Sequence, residues 1–102
     1  MSISIGKYIF EGPYKDTDKL RDRPGIYVII CRSGGKNYII DAGESAKIKT
    51  GIETYDIKKI CPKKYPGTVT VAVYYTPNLQ QSLRIDIEKE IRNYYQLLPK
   101  NN

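Results

Sequence analysis

Gly25-Ile26-Tyr27-Val28-Ile29-Ile30-Cys31 is a near-continuous apolar run entered through Pro24, and its reading decides the fold. An unbroken apolar stretch of this length, rich in β-branched residues and bounded by turn signals, predicts a strand buried on both faces. Ser33-Gly34-Gly35-Lys36-Asn37 has the composition of a hairpin turn, so Tyr38 to Ala42 should return as the antiparallel partner. Thr68 to Tyr75, dense in Thr, Val and Tyr, is the clearest further strand.

The rest of the chain arranges itself around these strands. Gly43 is read as the sharp turn out of the hairpin, with Glu44-Ser45 opening a helix to about Thr54 that turns Ile48 and Ile52 to one side. Asp56 to Ile60 reads as a second short helical turn before Pro62. Asn78 caps a final helix of roughly five turns, whose apolar positions are Leu79, Leu83, Ile87, Ile91, Tyr94 or Tyr95, and Leu98. Upstream, Glu11 to Pro24 is polar, with Asp16 or Thr17 suited to cap a short turn, and Ile3 to Phe10 alternates weakly as an edge strand or an ordered arm. The expected architecture is α+β: a three-stranded antiparallel sheet flanked by helices. It forms a single domain over residues 1–102, with a core from about 10 to 102 and an N-terminal arm at 1–9.

The 102 residues allow one modest core, and 40% hydrophobic content argues against disorder. No stretch approaches a transmembrane span, so no membrane partner is expected. Met1 to Lys7 lacks the apolar run of a signal peptide, which sets a reduced, cytoplasmic expectation with Cys31 and Cys61 as small buried thiols. Two cysteines without any histidine cannot build the usual tetrahedral zinc site. The net charge of +6 favours a polyanion, and its surplus gathers at Lys58, Lys59, Lys63 and Lys64, interleaved with Tyr55 and Tyr65. Cations alternating with aromatic rings can hold a phosphate backbone and stack a base. A solvated lysine surface is the plain alternative.

Three pieces of the chain together resemble the GIY-YIG nuclease family: Gly25-Ile26-Tyr27, the run Gly43-Glu44-Ser45-Ala46-Lys47-Ile48, and Arg84-x-x-Ile87-Glu88 with the trailing Ile91, Pro99 and Asn102. The resemblance spans roughly Phe10 to Asn102. It implies a catalytic Tyr27 and a Glu88 that ligates Mg²⁺, which would neutralise charge on the scissile phosphate of DNA, ahead of RNA. The second motif departs from the family: Asp41 and Ala42 stand where Tyr-Ile or Tyr-Val is usual. Gly51 occupies the slot of the family's helix Arg, and Tyr55 that of its frequent His. Lys47, Lys49 or Arg32 are the substitute cations, although lysine lacks the planar fork that suits arginine to phosphate.

The resemblance therefore implies a nucleic-acid-binding domain with cleavage lost or much reduced. The alternatives are an active Mg²⁺-dependent endonuclease using Tyr27 and Glu88, and a protein-interaction module that reuses the fold through its ten tyrosines. Taken without the resemblance, Tyr27 reads first as a plain sheet residue, and Glu88 equally as an ion-pair partner of Arg84 or Arg92. The expectation is spatial: Tyr27 and Glu88 should meet across one positively rimmed groove. Side chains directed to opposite sides of the molecule would remove both the nuclease ancestry and the polyanion partner.

Overall fold

The computed structural model describes residues 1–54 and 67–97. Among the described residues, five strands and two α-helices follow one another as β1 (Ser2–Ile5), β2 (Tyr8–Tyr14), β3 (Gly25–Ser33), β4 (Lys36–Ser45), α1 (Ile48–Glu53), β5 (Thr68–Tyr75) and α2 (Gln81–Tyr94). A 3₁₀ turn at Thr17–Lys19 lies on the strap that joins β2 to β3. The strands form one curled antiparallel sheet, a half-barrel, in the order β1-β2-β5-β3-β4. The three expected strands are present with β3 at their centre, and the N-terminal residues enlarge the sheet to five by adding a hairpin to the free edge of β5.

β3 is the interior strand its composition predicts. It pairs with β4 on one side and β5 on the other, and every residue from Gly25 to Cys31 is buried. Successive side chains point to opposite faces, so the apolar run supplies both cores at once. Ile26, Val28 and Ile30 join Ile5, Phe10, Ala42, Ala72 and Ile91 on the face that α2 covers. Tyr27 and Ile29 join Leu20, Ile48, Ile52, Val71 and Val73 on the face that α1 and the strap cover. Each fully buried Ile contributes roughly 2 kcal/mol of transfer free energy, and the two layers share that gain. Gly34 and Gly35, at φ +59° and +77°, provide the left-handed backbone that a two-residue hairpin needs.

Three expectations are corrected. β4 does not end at Ala42: it continues through Ser45, so Gly43 lies within the strand, opposite Tyr27, and helix α1 starts only at Ile48. At the N-terminus the edge-strand alternative replaces the arm: Ile5 is fully buried and pairs with Tyr8 in the first hairpin. α2 begins at Gln81 rather than Leu79, with no side-chain cap from its N-cap residue Gln80. The helical turn expected at Asp56 to Ile60 lies outside the described residues. None of the described helices is long and apolar enough to cross a membrane.

Candidate functional site

Tyr27 stands in the middle of β3 between Gly43 and Val73 and is only 6% exposed. Its ring belongs to the core beneath α1. Gly25, the first letter of the motif, has a packing reason of its own. A Cβ there would come within 2.5 Å of the Tyr74 carbonyl oxygen, so β5 can approach only a glycine. Gly25, Ile26 and Tyr27 thus have, respectively, a close-approach role and places in two separate cores.

Glu88 lies on α2, on the other side of the sheet, and is 8% exposed. Its Oε2 accepts a hydrogen bond from Arg92 Nε at 3.0 Å, and the same guanidinium donates through its terminal nitrogen to Asp41 and to the Ala42 carbonyl of β4. One turn toward the N-terminus, Arg84 Nε donates to Glu44 at 3.0 Å while its terminal nitrogen reaches the Leu79 carbonyl at 2.9 Å. Gln81 also donates to Glu44. Burial works against the charge on Arg92, yet the bonds to Glu88 and then Asp41 outweigh it and raise the pKa above its ordinary value.

The sheet therefore separates Tyr27 from Glu88: the first packs in the core beneath α1, and the second sits on α2, which covers the other core, paired with Arg92, which in turn reaches β4. The Mg²⁺ expectation can be tested against the donor set. The Arg92 guanidinium already occupies the place between Glu88 and Asp41 that a divalent ion would take, and its fixed charge would repel one. This carboxylate pair does not fit a magnesium site in the arrangement seen. Among the described residues, no group of three His, Cys, Asp or Glu side chains converges. Glu90, the other acid beside the helix's apolar stripe, turns outward to Lys7 and Tyr8.

The substitute cations divide between two regions. Arg32 is exposed near the tip of the β3–β4 hairpin, where its backbone carbonyl lies so close to Gly67 that no Cβ could fit there. Lys47 is exposed and Lys49 half-buried at the start of α1, on the Tyr27 side of the sheet. Gly51, in the slot of the family's arginine, packs against Ser45: a Cβ would lie 3.1 Å from Ser45 Oγ. Tyr55, Lys58, Lys59, Lys63, Lys64 and Tyr65 lie outside the described residues.

Sequence reasoning missed the strap residues Arg21, Asp22 and Arg23. α1 has only a lysine at its N-cap, so its first amides need partners from elsewhere. The strap supplies them: Ile48 N–H donates to the Arg23 carbonyl at 3.0 Å, and Thr50 donates to Asp22 through its amide at 3.0 Å and its hydroxyl at 2.9 Å. The Thr50 amide, with smaller help from its hydroxyl and the charges of Lys47 and Lys49, holds the Asp22 carboxyl below the usual carboxylate value. Tyr75 Oη accepts from the Arg21 amide at 2.8 Å and fixes the strap at its other end. Arg21, Arg23, Lys47 and Lys49 are thereby carried on two joined segments of one face. The local signal was the Arg-Asp-Arg run before Pro24, which charge counting alone spread along the chain.

Cys31 is fully buried and disulfide-bonded, which replaces the free thiol expected there. The one other cysteine in the sequence, Cys61, lies outside the described residues.

No protein-family model, curated protein or solved structure matches this chain. The likeness to the GIY-YIG family accordingly rests on the motif residues alone.

Proposed function

We propose that this α+β domain binds nucleic acid through the α1 face, gripping the phosphate backbone without hydrolysing it. The observation that carries this reading is the junction of strap and α1. Arg23 O accepting from Ile48 N, and Asp22 accepting from Thr50, hold Arg21, Arg23, Lys47 and Lys49 on one surface. The basic stretch Lys58 to Lys64 follows α1 directly in sequence. On α2, β4 and the β1–β2 turn the balance is different: Lys7, Arg84, Lys89 and Arg92 are offset by Asp41, Glu44, Asp86, Glu88 and Glu90. Set against Asp22 and Glu53, the four strap and α1 cations still leave a surplus of two, whereas the α2 side has none, and this favours a polyanion that approaches from the α1 side.

The expectation that made a polyanion partner depend on Tyr27 and Glu88 meeting fails with their separation, and the present reading rests on the strap and α1 charges alone. Hydrolysis would require groups that the sheet keeps apart. Backbone contacts from arginine and lysine position a strand but read no sequence, so binding should be broadly sequence-independent.

Fluorescence anisotropy with labelled single-stranded, duplex and branched DNA and RNA tests the reading. Four phosphate contacts predict that log affinity falls with log salt at a slope of roughly −3 to −4. No salt-sensitive binding to any of these substrates would overturn the proposal. Plasmid cleavage in Mg²⁺ or Mn²⁺ that disappears in Glu88→Ala would overturn its non-hydrolytic part.

A further inference from the structure

The turn between β1 and β2 meets the C-terminal half of α2 and leaves a cavity of about 260 Å³, lined by Gly6, Lys7, Tyr8, Glu90, Ile91 and Tyr94. The surrounding groups are held in place. Tyr8 donates its phenol O–H to Glu90 Oε2 at 2.7 Å, Lys7 Nζ lies 3.2 Å from Glu90 Oε1, and the Tyr95 hydroxyl accepts from the Gly6 amide at 3.1 Å. Tyr94 is 68% exposed, yet its ring stands edge-on against Tyr95 with centroids 4.8 Å apart. An exposed ring braced in this way loses little freedom when a ligand arrives.

We propose that this cavity binds a small, neutral heteroaromatic ring whose edge carries both a hydrogen-bond donor and an acceptor. The size argues for one ring system: 260 Å³ lies just under the range of drug-sized sites, too small for a whole dinucleotide. The Tyr8 and Tyr94 rings and Ile91 provide apolar walls against which a flat ring can stack or pack edge-on. The rim decides the rest. Lys7 and Glu90 neutralise each other, so a charged ligand would face one attraction and one repulsion. Covering that pair with a purely apolar group would strip water from it without compensation. A ring edge with an acceptor for Lys7 and a donor for Glu90 replaces the lost water.

The site is independent of the α1 cations and does not rest on the polyanion reading. The test is an NMR titration of the ¹⁵N-labelled chain with adenosine and uridine, with benzoate as the charged control and cyclohexanol as the apolar one. We expect saturating shifts centred on Gly6, Lys7, Tyr8, Glu90 and Tyr94 for at least one nucleoside, with a dissociation constant on the order of 0.1–1 mM. Benzoate and cyclohexanol should bind at least about tenfold more weakly. Tyr94→Ala, a change at an exposed position, should lose binding by about tenfold or more with the remaining spectrum intact. A Lys47→Ala/Lys49→Ala double variant should bind the nucleosides as the parent does. Absence of saturating shifts up to roughly 10 mM, shifts centred on α1, or unchanged binding in Tyr94→Ala would each overturn the proposal. Equal binding of cyclohexanol would overturn the hydrogen-bonding edge.

Discussion

Arg92 and Glu88 stand one turn apart on α2 and meet inside the protein, Nε to Oε2 at 3.0 Å, with side chains only 8% and 10% exposed. The pair does not stand alone, because Arg92 also reaches Asp41 and the Ala42 carbonyl on β4. With Arg84 on Glu44, the helix is fastened to the strand by two arginines on the same face. The acid that motif matching marks for a metal is thus paired with an arginine of its own helix.

Glu88→Ala should therefore behave as a stability variant. Removing one partner of a buried pair typically costs about 3–5 kcal/mol. Arg92 keeps Asp41, so a loss of about 2–3 kcal/mol is expected in urea unfolding. Glu88→Gln, which still offers an acceptor to Nε, should recover more than half of it. Folded Glu88→Ala protein should bind nucleic acid with an unchanged salt slope.

Gly51 carries a second prediction. Helix propensity alone would reward Gly51→Ala by about 1 kcal/mol. Ser45 Oγ stands 3.1 Å from the new Cβ and is itself bonded to the Lys47 backbone on both sides, so it cannot yield freely. Gly51→Ala should gain nothing, and the Gly51→Ala/Ser45→Gly double variant should be more stable than Ser45→Gly. Thermal melts of the three variants check this. Restoring the family's side chain with Gly51→Arg should produce no plasmid cleavage, because Glu88 stays beyond the sheet.

Lys47→Ala/Lys49→Ala should reduce nucleic-acid affinity and make the salt slope shallower by about 2, close to one unit per phosphate contact. The measurement is anisotropy between 50 and 200 mM salt, a range taken as roughly physiological. An unchanged slope would place the contact elsewhere.

Asp22 sets a pH dependence. Its carboxyl is held below the ordinary value of 3.8 in the folded state, first by the Thr50 amide. Stabilisation from a depressed carboxyl is present above the unfolded value and is lost as pH falls through the lower folded one. The Thr50 amide shift should titrate with a midpoint below 3.8, and Asp22→Asn should abolish that titration. A midpoint at or above 3.8 would contradict the capping role.

Some of the site is legible in the sequence. The Arg84, Glu88 and Arg92 spacing announces pairs at i, i+4, and one of the two possible pairs with Glu88 formed. The apolar stripe on the same helix was misleading in part. Leu83, counted within it, is 46% exposed, while Arg84, Glu88 and Arg92 are buried. Helical periodicity marks an apolar stripe, but how far a helix rolls over its sheet depends on the carboxylates waiting there, and Asp41 and Glu44 sit on β4. The cap of α1 was hidden for a similar reason: Asp22 is 28 residues from Thr50.

The order of residues alone determined the central strand, its glycine hairpin, the fifth strand and the existence of both helices. Those follow from local apolar patterning and from the backbone freedom of Gly34 and Gly35. Only the tertiary structure decided that Tyr27 and Glu88 part company. A strand's alternation sets which neighbours share a face, but not which face a helix 50 residues later will cover. That choice belongs to long-range contacts such as Arg92 with Asp41, 51 residues apart, and no local preference encodes them.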